Sequence, residues 1–168
     1  MNIITQTTRL QIREFTPEDE TLSLEIDADD RLTQYVKKRS PQESKQVFKD
    51  TLKEYKNQSG LGRWGIFNVI DDDFIGICML KPSESDSNYI ELGYRLHHKY
   101  WGSGIATELA IALVSYGLNE VKLKEICAVT HPNNAASQRV LSKAGFERHG
   151  DAFWYGEDLP FFKVSKVV

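Results

Sequence analysis

Arg9-Leu10-Gln11-Ile12-Arg13 alternates polar and apolar residues, which predicts a half-buried strand. Thr16-Pro17-Glu18-Asp19 then supplies an N-cap, a proline at the first helical position and acid in the first turn, so a short helix with Leu22 and Ile26 inward should follow. Residues 27–39 fit a loop or a broken helix equally well. Ser40-Pro41-Gln42-Glu43 is a capping box opening a longer helix, with Val47, Phe48, Leu52 and Tyr55 on one face and Gly60 as its stop. Residues 64–70 and 74–80 read as a hairpin about the Asp71-Asp72-Asp73 turn, and 82–88 as a polar loop before a strand that begins at Tyr89. Ile105, Leu109, Leu113 and Tyr116 fall at helical spacing, and Gly117 and Asn119 weaken or end that helix. Residues 125–130 form a buried strand. His131-Pro132-Asn133-Asn134 breaks it and caps a helix with Val140, Leu141 and Ala144 inward and Gly145 as its stop. Residues 146–148, 153–155 and 161–168 read as short closing strands. The coarse order is β-α-α-β-β-β-α-β-α-β-β, an α/β (α+β) arrangement with a mixed sheet and helices on its faces, not a regular doubly wound repeat.

Composition narrows the function classes. The chain has 168 residues, enough for one domain with a real core, and a formal charge of −3 that speaks against nucleic acid as a partner. The N-terminus lacks a basic segment followed by an apolar run, and no stretch of about 18 apolar residues occurs, so neither a leader nor a membrane partner is expected. Cys78 and Cys127 stand far apart within apolar runs, as reduced core residues of a cytoplasmic protein would. The expected domain spans residues 8–168, with residues 1–7 as a short extension.

The chemistry concentrates where the strand after Tyr89 feeds Trp101-Gly102-Ser103-Gly104-Ile105-Ala106 into a helix. Helix N-termini present unpaired N–H groups and positive potential, and glycines let a phosphate approach the backbone closely. No Walker loop is present, and a dinucleotide fingerprint would want a third glycine where Thr107 stands. Gly60-Leu61-Gly62-Arg63-Trp64-Gly65 does match that fingerprint by letter. A helix precedes it and a strand follows, the wrong context, so it reads as a turn. No metal is expected: the three aspartates suit a turn, and the neighbouring His97 and His98 should point apart at a strand end.

A second strand–cap–helix–glycine unit, Asn134-x-x-Ser137 followed by Gly145-Phe146, joins the Thr8–Arg13 strand and the Tyr100–Glu108 loop in chain order. Together these resemble the GNAT superfamily of acyl-CoA-dependent N-acyltransferases, and within it the RimJ/RimL-like group. The resemblance covers nearly the whole chain. It implies a mixed, mostly antiparallel central sheet of about seven strands with about four helices, and acetyl-CoA as co-substrate. The family's pyrophosphate loop, Gln/Arg-x-x-Gly-x-Gly/Ala, appears here as Lys99-x-x-Gly102-x-Gly104, which implicates Lys99, Gly102, Ser103, Gly104, Ala106 and Thr107 in binding the cofactor. Lysine keeps the charge of arginine but lacks its planar fork. A bulge that splays the preceding strand in the family would let Tyr94, Arg95 and Leu96 offer main-chain groups to pantetheine. Asn134 would bond the pantetheine, and Ser137 would place a hydroxyl near the sulfur; capping and an exposed first-turn serine are the plain alternatives.

The implied reaction is direct attack of a primary amine on the thioester in a ternary complex, which requires a base for the amine proton. Glu91, in an otherwise apolar strand where the family often keeps a carboxylate, is the first candidate; an edge-facing glutamate is the alternative. Many members carry a tyrosine acid at the position held here by Leu141, so Ser137 serves the thiolate instead. The acceptor is an amine on a protein N-terminus or a small molecule, and the protein a monomer or homodimer. Asp27, Asp29 and Asp30 could attract a cationic acceptor or form a solvated acidic loop. Tyr94 and Tyr155 could border the acceptor pocket, with buried aromatic packing as the plainer reading for both, and Trp101 reads as an aromatic anchor beside the loop. A non-catalytic acyl-CoA-binding module on the same fold is the competing reading.

Overall fold

Residues 2–166 are described by the computed structural model. The strands are β1 (Ile3–Gln6), β2 (Leu10–Arg13), β3 (Gly62–Asn68), β4 (Phe74–Pro82), β5 (Ile90–Leu96), β6 (Glu125–Val129), β7 (Glu147–Trp154) and β8 (Glu157–Ser165). The helices are α1 (Glu20–Ala28), α2 (Pro41–Glu54), α3 (Ile105–Ser115) and α4 (Ala135–Lys143). One eight-stranded sheet runs in the order β1-β2-β3-β4-β5-β6-β8-β7. The pairs β1–β2, β2–β3, β6–β8 and β7–β8 are antiparallel, while β5 and β6 are parallel, in register at Glu91 and Cys127. The mixed, mostly antiparallel sheet with four helices is the expected architecture, with one strand more than the pattern suggests. That strand, β1, lies within residues 1–7 and is too short for alternation to register.

Local chemistry explains most boundaries. Ser40 and Glu43 cap α2 reciprocally, each backbone N–H donating to the other's side chain at 3.1 Å. The helical run after α2 ends at Gln58, in the left-handed region at φ 50°, two residues before the expected Gly60. α1 continues through Ala28, so the ambiguous stretch is helix at its start and turns thereafter. Gly117 does not end α3, which passes into a π-helical turn over Tyr116–Glu120. A Cβ on Gly117 would lie 2.7 Å from Ile126 Cδ1, so the glycine serves packing. The closing region differs most. Residues 147–154 form one strand whose register shifts between Arg148 and Asp151, and Tyr155 belongs to the following turn rather than to a strand. Tyr155 (φ 56°) and Gly156 (φ 79°) form the two-residue connection to β8, where both central positions need positive φ. Val167 and Val168, placed by pattern in the last strand, lie outside the described residues.

The chain divides into two compact units: residues up to Met79 with Tyr94–Ile105, and Leu80–Gly93 with the chain from Ala106 onward. The first buries Phe15, Ile26, Leu32, Phe48 and Ile77 together. Within it the Tyr55 hydroxyl accepts from the Phe15 N–H at 3.1 Å and donates to the Arg63 carbonyl at 2.5 Å. Tyr55→Phe should therefore lower unfolding stability by about 2 kcal/mol in denaturant titration, because two backbone groups lose their partner. The second unit packs Cys127, Trp154, Leu159 and Phe161 against Tyr89.

Candidate active site

In the first unit, the segment after β5 is fastened from several sides. The Trp101 indole N–H donates to the Leu96 carbonyl at 3.0 Å, and the Ser103 hydroxyl donates to the Tyr100 carbonyl at 2.8 Å. Asp73 accepts the Tyr100 hydroxyl and pairs with Lys99 Nζ at 2.6 Å, and these two partners hold its carboxyl below the usual range. The aspartate turn thus has three distinct duties. Asp71 accepts the Asp73 N–H at 3.0 Å, Asp72 pairs with Arg13 at 2.6 Å, and Asp73 anchors the loop.

The fastening ends at Gly102 and Gly104, with φ of 74° and 80°. Both are exposed, and a Cβ on Gly102 would meet no atom within 4 Å. The backbone is open here, as an approaching phosphate requires. Arg9 is the residue that pattern missed. Its Nη1 donates to the Ser103 carbonyl at 2.9 Å, and Nη2 stands 3.6 Å from the Cβ position of Gly104. Ninety-four positions separate Arg9 from Ser103, so no local signal could have joined them. Trp101 does anchor the loop, but through its N–H, with 53% of the residue exposed.

Tyr94 is half-buried, and the Arg95 guanidinium pairs with Asp27 at 2.5 Å. The aspartates at 27, 29 and 30 do not share one environment, and only Asp30 is solvent-exposed. Asp27 is buried, Asp29 pairs with Arg31 at 3.0 Å, and Asp30 pairs with Lys38 at 2.5 Å. His97 and His98 also depart from expectation: their rings lie side by side, tilted, with centroids 4.7 Å apart, because β5 ends at Leu96 and strand alternation no longer applies.

The second unit holds the carboxylate. β5 lies between β4 and β6, so Glu91 is not on an edge strand, and it is only 4% exposed. The Tyr155 hydroxyl donates to Glu91 Oε1 at 2.7 Å. Burial pushes the Glu91 carboxyl above its usual range, partly offset by the hydroxyls of Tyr155 and Ser83. Burial and the Glu91 charge likewise push the Tyr155 hydroxyl far upward, so it remains a donor. Tyr155 therefore makes a polar contact where aromatic packing was expected. It lies in the hairpin turn after β7, with φ 56°, so the alternation of the strand does not extend to it.

Asn134 caps α4, its Oδ1 accepting the Ser137 N–H at 3.2 Å. This is the plain capping role, and it leaves the amide's donor chemistry available in kind to a ligand. Leu141 is buried at 2% exposure, and Ala106 and Thr107 are half-buried in the first turn of α3. Cys78 and Cys127 are free and buried, and burial first, then the Glu91 charge, pushes the Cys127 thiol up to about 12. Among the described residues, no group of three or more His, Cys, Asp or Glu side chains could hold a metal ion, and no helix is long and apolar enough to cross a membrane.

Comparison with known proteins gives these features a family. The profile of the "Acetyltransferase (GNAT) domain" matches residues 9–147. The "Uncharacterized N-acetyltransferase YoaA" of Bacillus subtilis is 29% identical over 150 residues, covering 88% of this chain and 84% of that protein. The "[Ribosomal protein uS5]-alanine N-acetyltransferase" of Escherichia coli is 26% identical over 102 residues, covering 60% of this chain and 53% of its own length. A solved structure of RimL, a ribosomal L7/L12 α-N-protein acetyltransferase in complex with coenzyme A, shares the fold with a TM-score of 0.77 at 16% identity, covering 98% of both chains. The chain belongs to the GNAT family of N-acetyltransferases and is an acyltransferase.

Proposed function

We propose that this protein transfers the acetyl group of acetyl-CoA to a primary amine, on a protein N-terminus or a small molecule, by direct attack in a ternary complex. The observation that carries this reading is the buried Glu91 carboxylate, held by the Tyr155 hydroxyl at 2.7 Å with its proton affinity raised by burial. A base for amine deprotonation works best when its pKa approaches the operating pH. Acetyl-CoA supplies an activated acyl group. The amine nitrogen bonds to the acyl carbon, the carbon–sulfur bond breaks, and Glu91 takes the amine proton directly or through water. Ser137 would give a hydrogen bond to the departing sulfur.

For the cofactor, Gly102, Ser103 and Gly104 would receive the pyrophosphate on backbone N–H groups, with Ala106 and Thr107 in the helix turn behind them. Main-chain groups of Tyr94, Arg95 and Leu96, and the Asn134 amide, would hold pantetheine. The open Gly102 position and the Arg9 guanidinium support this assignment. Lys99, engaged with Asp73, would act by holding the loop rather than by touching phosphate. Two free buried cysteines suit a reducing, cytoplasmic setting.

Acetyl-CoA should raise the melting temperature, whereas NAD should not; an intact fold that no acyl-CoA stabilises would refute the reading. Arg9→Ala should weaken acetyl-CoA binding about tenfold in calorimetric titration, as expected for one charge-assisted contact. Tyr155→Phe should move the acid limb of the kcat/KM profile to higher pH. Losing the hydroxyl removes a bond that stabilises the charged Glu91, so its pKa rises further and the active carboxylate form is reached later.

A further inference from the structure

We propose that the arginine cluster around Asp27 is an anion subsite, which takes a carboxylate group of the amine-bearing acceptor. The identification of the ligand as an acceptor rests on the acetyl-transfer reading above; the subsite itself rests on geometry within the first unit. Asp27, at the end of α1, is 3% exposed. Three guanidiniums converge on its Oδ1: Arg95 Nη2 at 2.5 Å, Arg39 Nη1 at 3.7 Å and Arg63 Nη2 at 3.7 Å. They come from β5, from the segment between α1 and α2, and from β3. All three share the Asp27 carboxylate, and Arg39 also acts on Glu43 at the start of α2, so the arginines still outnumber the carboxylates around them.

Only one of the three is a hydrogen-bonding partner at these distances. Arg63 has a side chain 10% exposed, and its Nη2 is buried with no hydrogen-bond partner. A buried donor without a hydrogen bond is costly: Arg63 Nη2 meets Asp27 only at ion-pair distance, and Asp27 Oδ2 is likewise buried and unbonded, so the cluster is left incompletely satisfied. Burial, with Arg95 and Arg39 beside it, pushes the Arg63 guanidinium down to about 10. Asp27 responds the other way: burial alone would raise its carboxyl, but Arg95 and Arg63 outweigh this and hold it below the usual range. Arg39 is the solvent-facing member, its side chain 28% exposed.

A second carboxylate would neutralise the excess and give Arg63 the planar, forked partner that guanidinium favours. By sequence, Asp27, Asp29 and Asp30 fit either a solvated acidic loop or a surface that attracts a cationic acceptor. With Asp29 and Asp30 already paired and Asp27 outnumbered, the local field has the opposite sign.

Calorimetric titration of the CoA-loaded protein with matched pairs tests this. Tyrosine against tyramine and lysine against cadaverine probe a small acid; Ala-Glu amide against Ala-Gln amide probes an acidic peptide. At least one acid should bind about tenfold or more tightly than its partner lacking the carboxylate, from one charge-assisted bond. Arg39→Gln should erase that difference, and Arg39→Lys should keep part of it. Equal or weaker binding of every acid, or a preference that Arg39→Gln leaves unchanged, overturns the proposal. The arm that responds identifies the carboxylate's source. The wild-type comparison stands even if a variant fails to fold. Because the readout is binding, a lack of turnover with every amine would refute the acetyl-transfer reading and leave the anion preference to be judged separately.

Discussion

Replacing Gly104 with valine is expected to abolish acetyl-CoA binding, a loss of about a hundredfold or more, composed of backbone strain and obstruction. Gly104 has φ 80°, a conformation that β-branched residues avoid. A Cβ would already stand 3.6 Å from Arg9 Nη2, so the methyls beyond it must displace either the guanidinium or the loop. Both are proposed to face the pyrophosphate. Gly102→Ala separates the two contributions, since its φ is 74° but its Cβ meets no atom within 4 Å. It should weaken binding less than Gly104→Val. Calorimetry with acetyl-CoA measures both, and wild-type affinity in Gly104→Val would remove this loop from the cofactor site.

Glu91→Gln is expected to lower kcat by about a hundredfold to a thousandfold, within the usual range for a general base, while acetyl-CoA affinity stays near that of the unaltered protein. The same change should raise the melting temperature at neutral pH. Burial raises the Glu91 carboxyl above its ordinary value, so the folded chain holds that proton more tightly than the unfolded chain does. The stability gained from this residue is therefore complete below the ordinary carboxylate pKa and is lost as pH rises through the folded value. At neutral pH the buried charge is a cost. Glutamine removes it and can still accept the Tyr155 hydroxyl. A fall in turnover with a rise in stability would mark Glu91 as a functional group maintained against the fold; unchanged turnover would remove it from the mechanism.

Local signals were legible wherever one short stretch decided the outcome. The Ser40–Glu43 box, the Asp71–Asp73 turn and the Asn134 cap each depend on atoms within three residues, and each forms as its sequence implies. In the Gly60–Gly65 run, read as a turn, only residues 60–61 precede β3 and Gly62–Gly65 already belong to it; a helical run before and a strand after is still not the context of a dinucleotide fingerprint. What stayed hidden needed contacts between distant positions. Arg9 meets Ser103, Tyr155 meets Glu91 across 64 positions, and Asp27 meets Arg95 across 68. Tyr155 was misread for a second reason. Its positive φ puts it in a hairpin turn where a bulky residue is uncommon, so alternation carried the strand one residue too far. The adjacent histidine rings differ from expectation for a similar cause: strand alternation does not extend past Leu96, where the strand stops.

The central claim is that this chain moves an acetyl group to an amine and does not merely hold a CoA derivative. Continuous detection of free CoA thiol, with acetyl-CoA and a panel of primary amines and N-terminal peptides, tests it most directly. The account predicts saturable, amine-dependent release of CoA with an acetylated product of matching mass, diminished in Glu91→Gln. Tight acetyl-CoA binding with no release above the amine-free rate, for every acceptor and across the pH range, would contradict it.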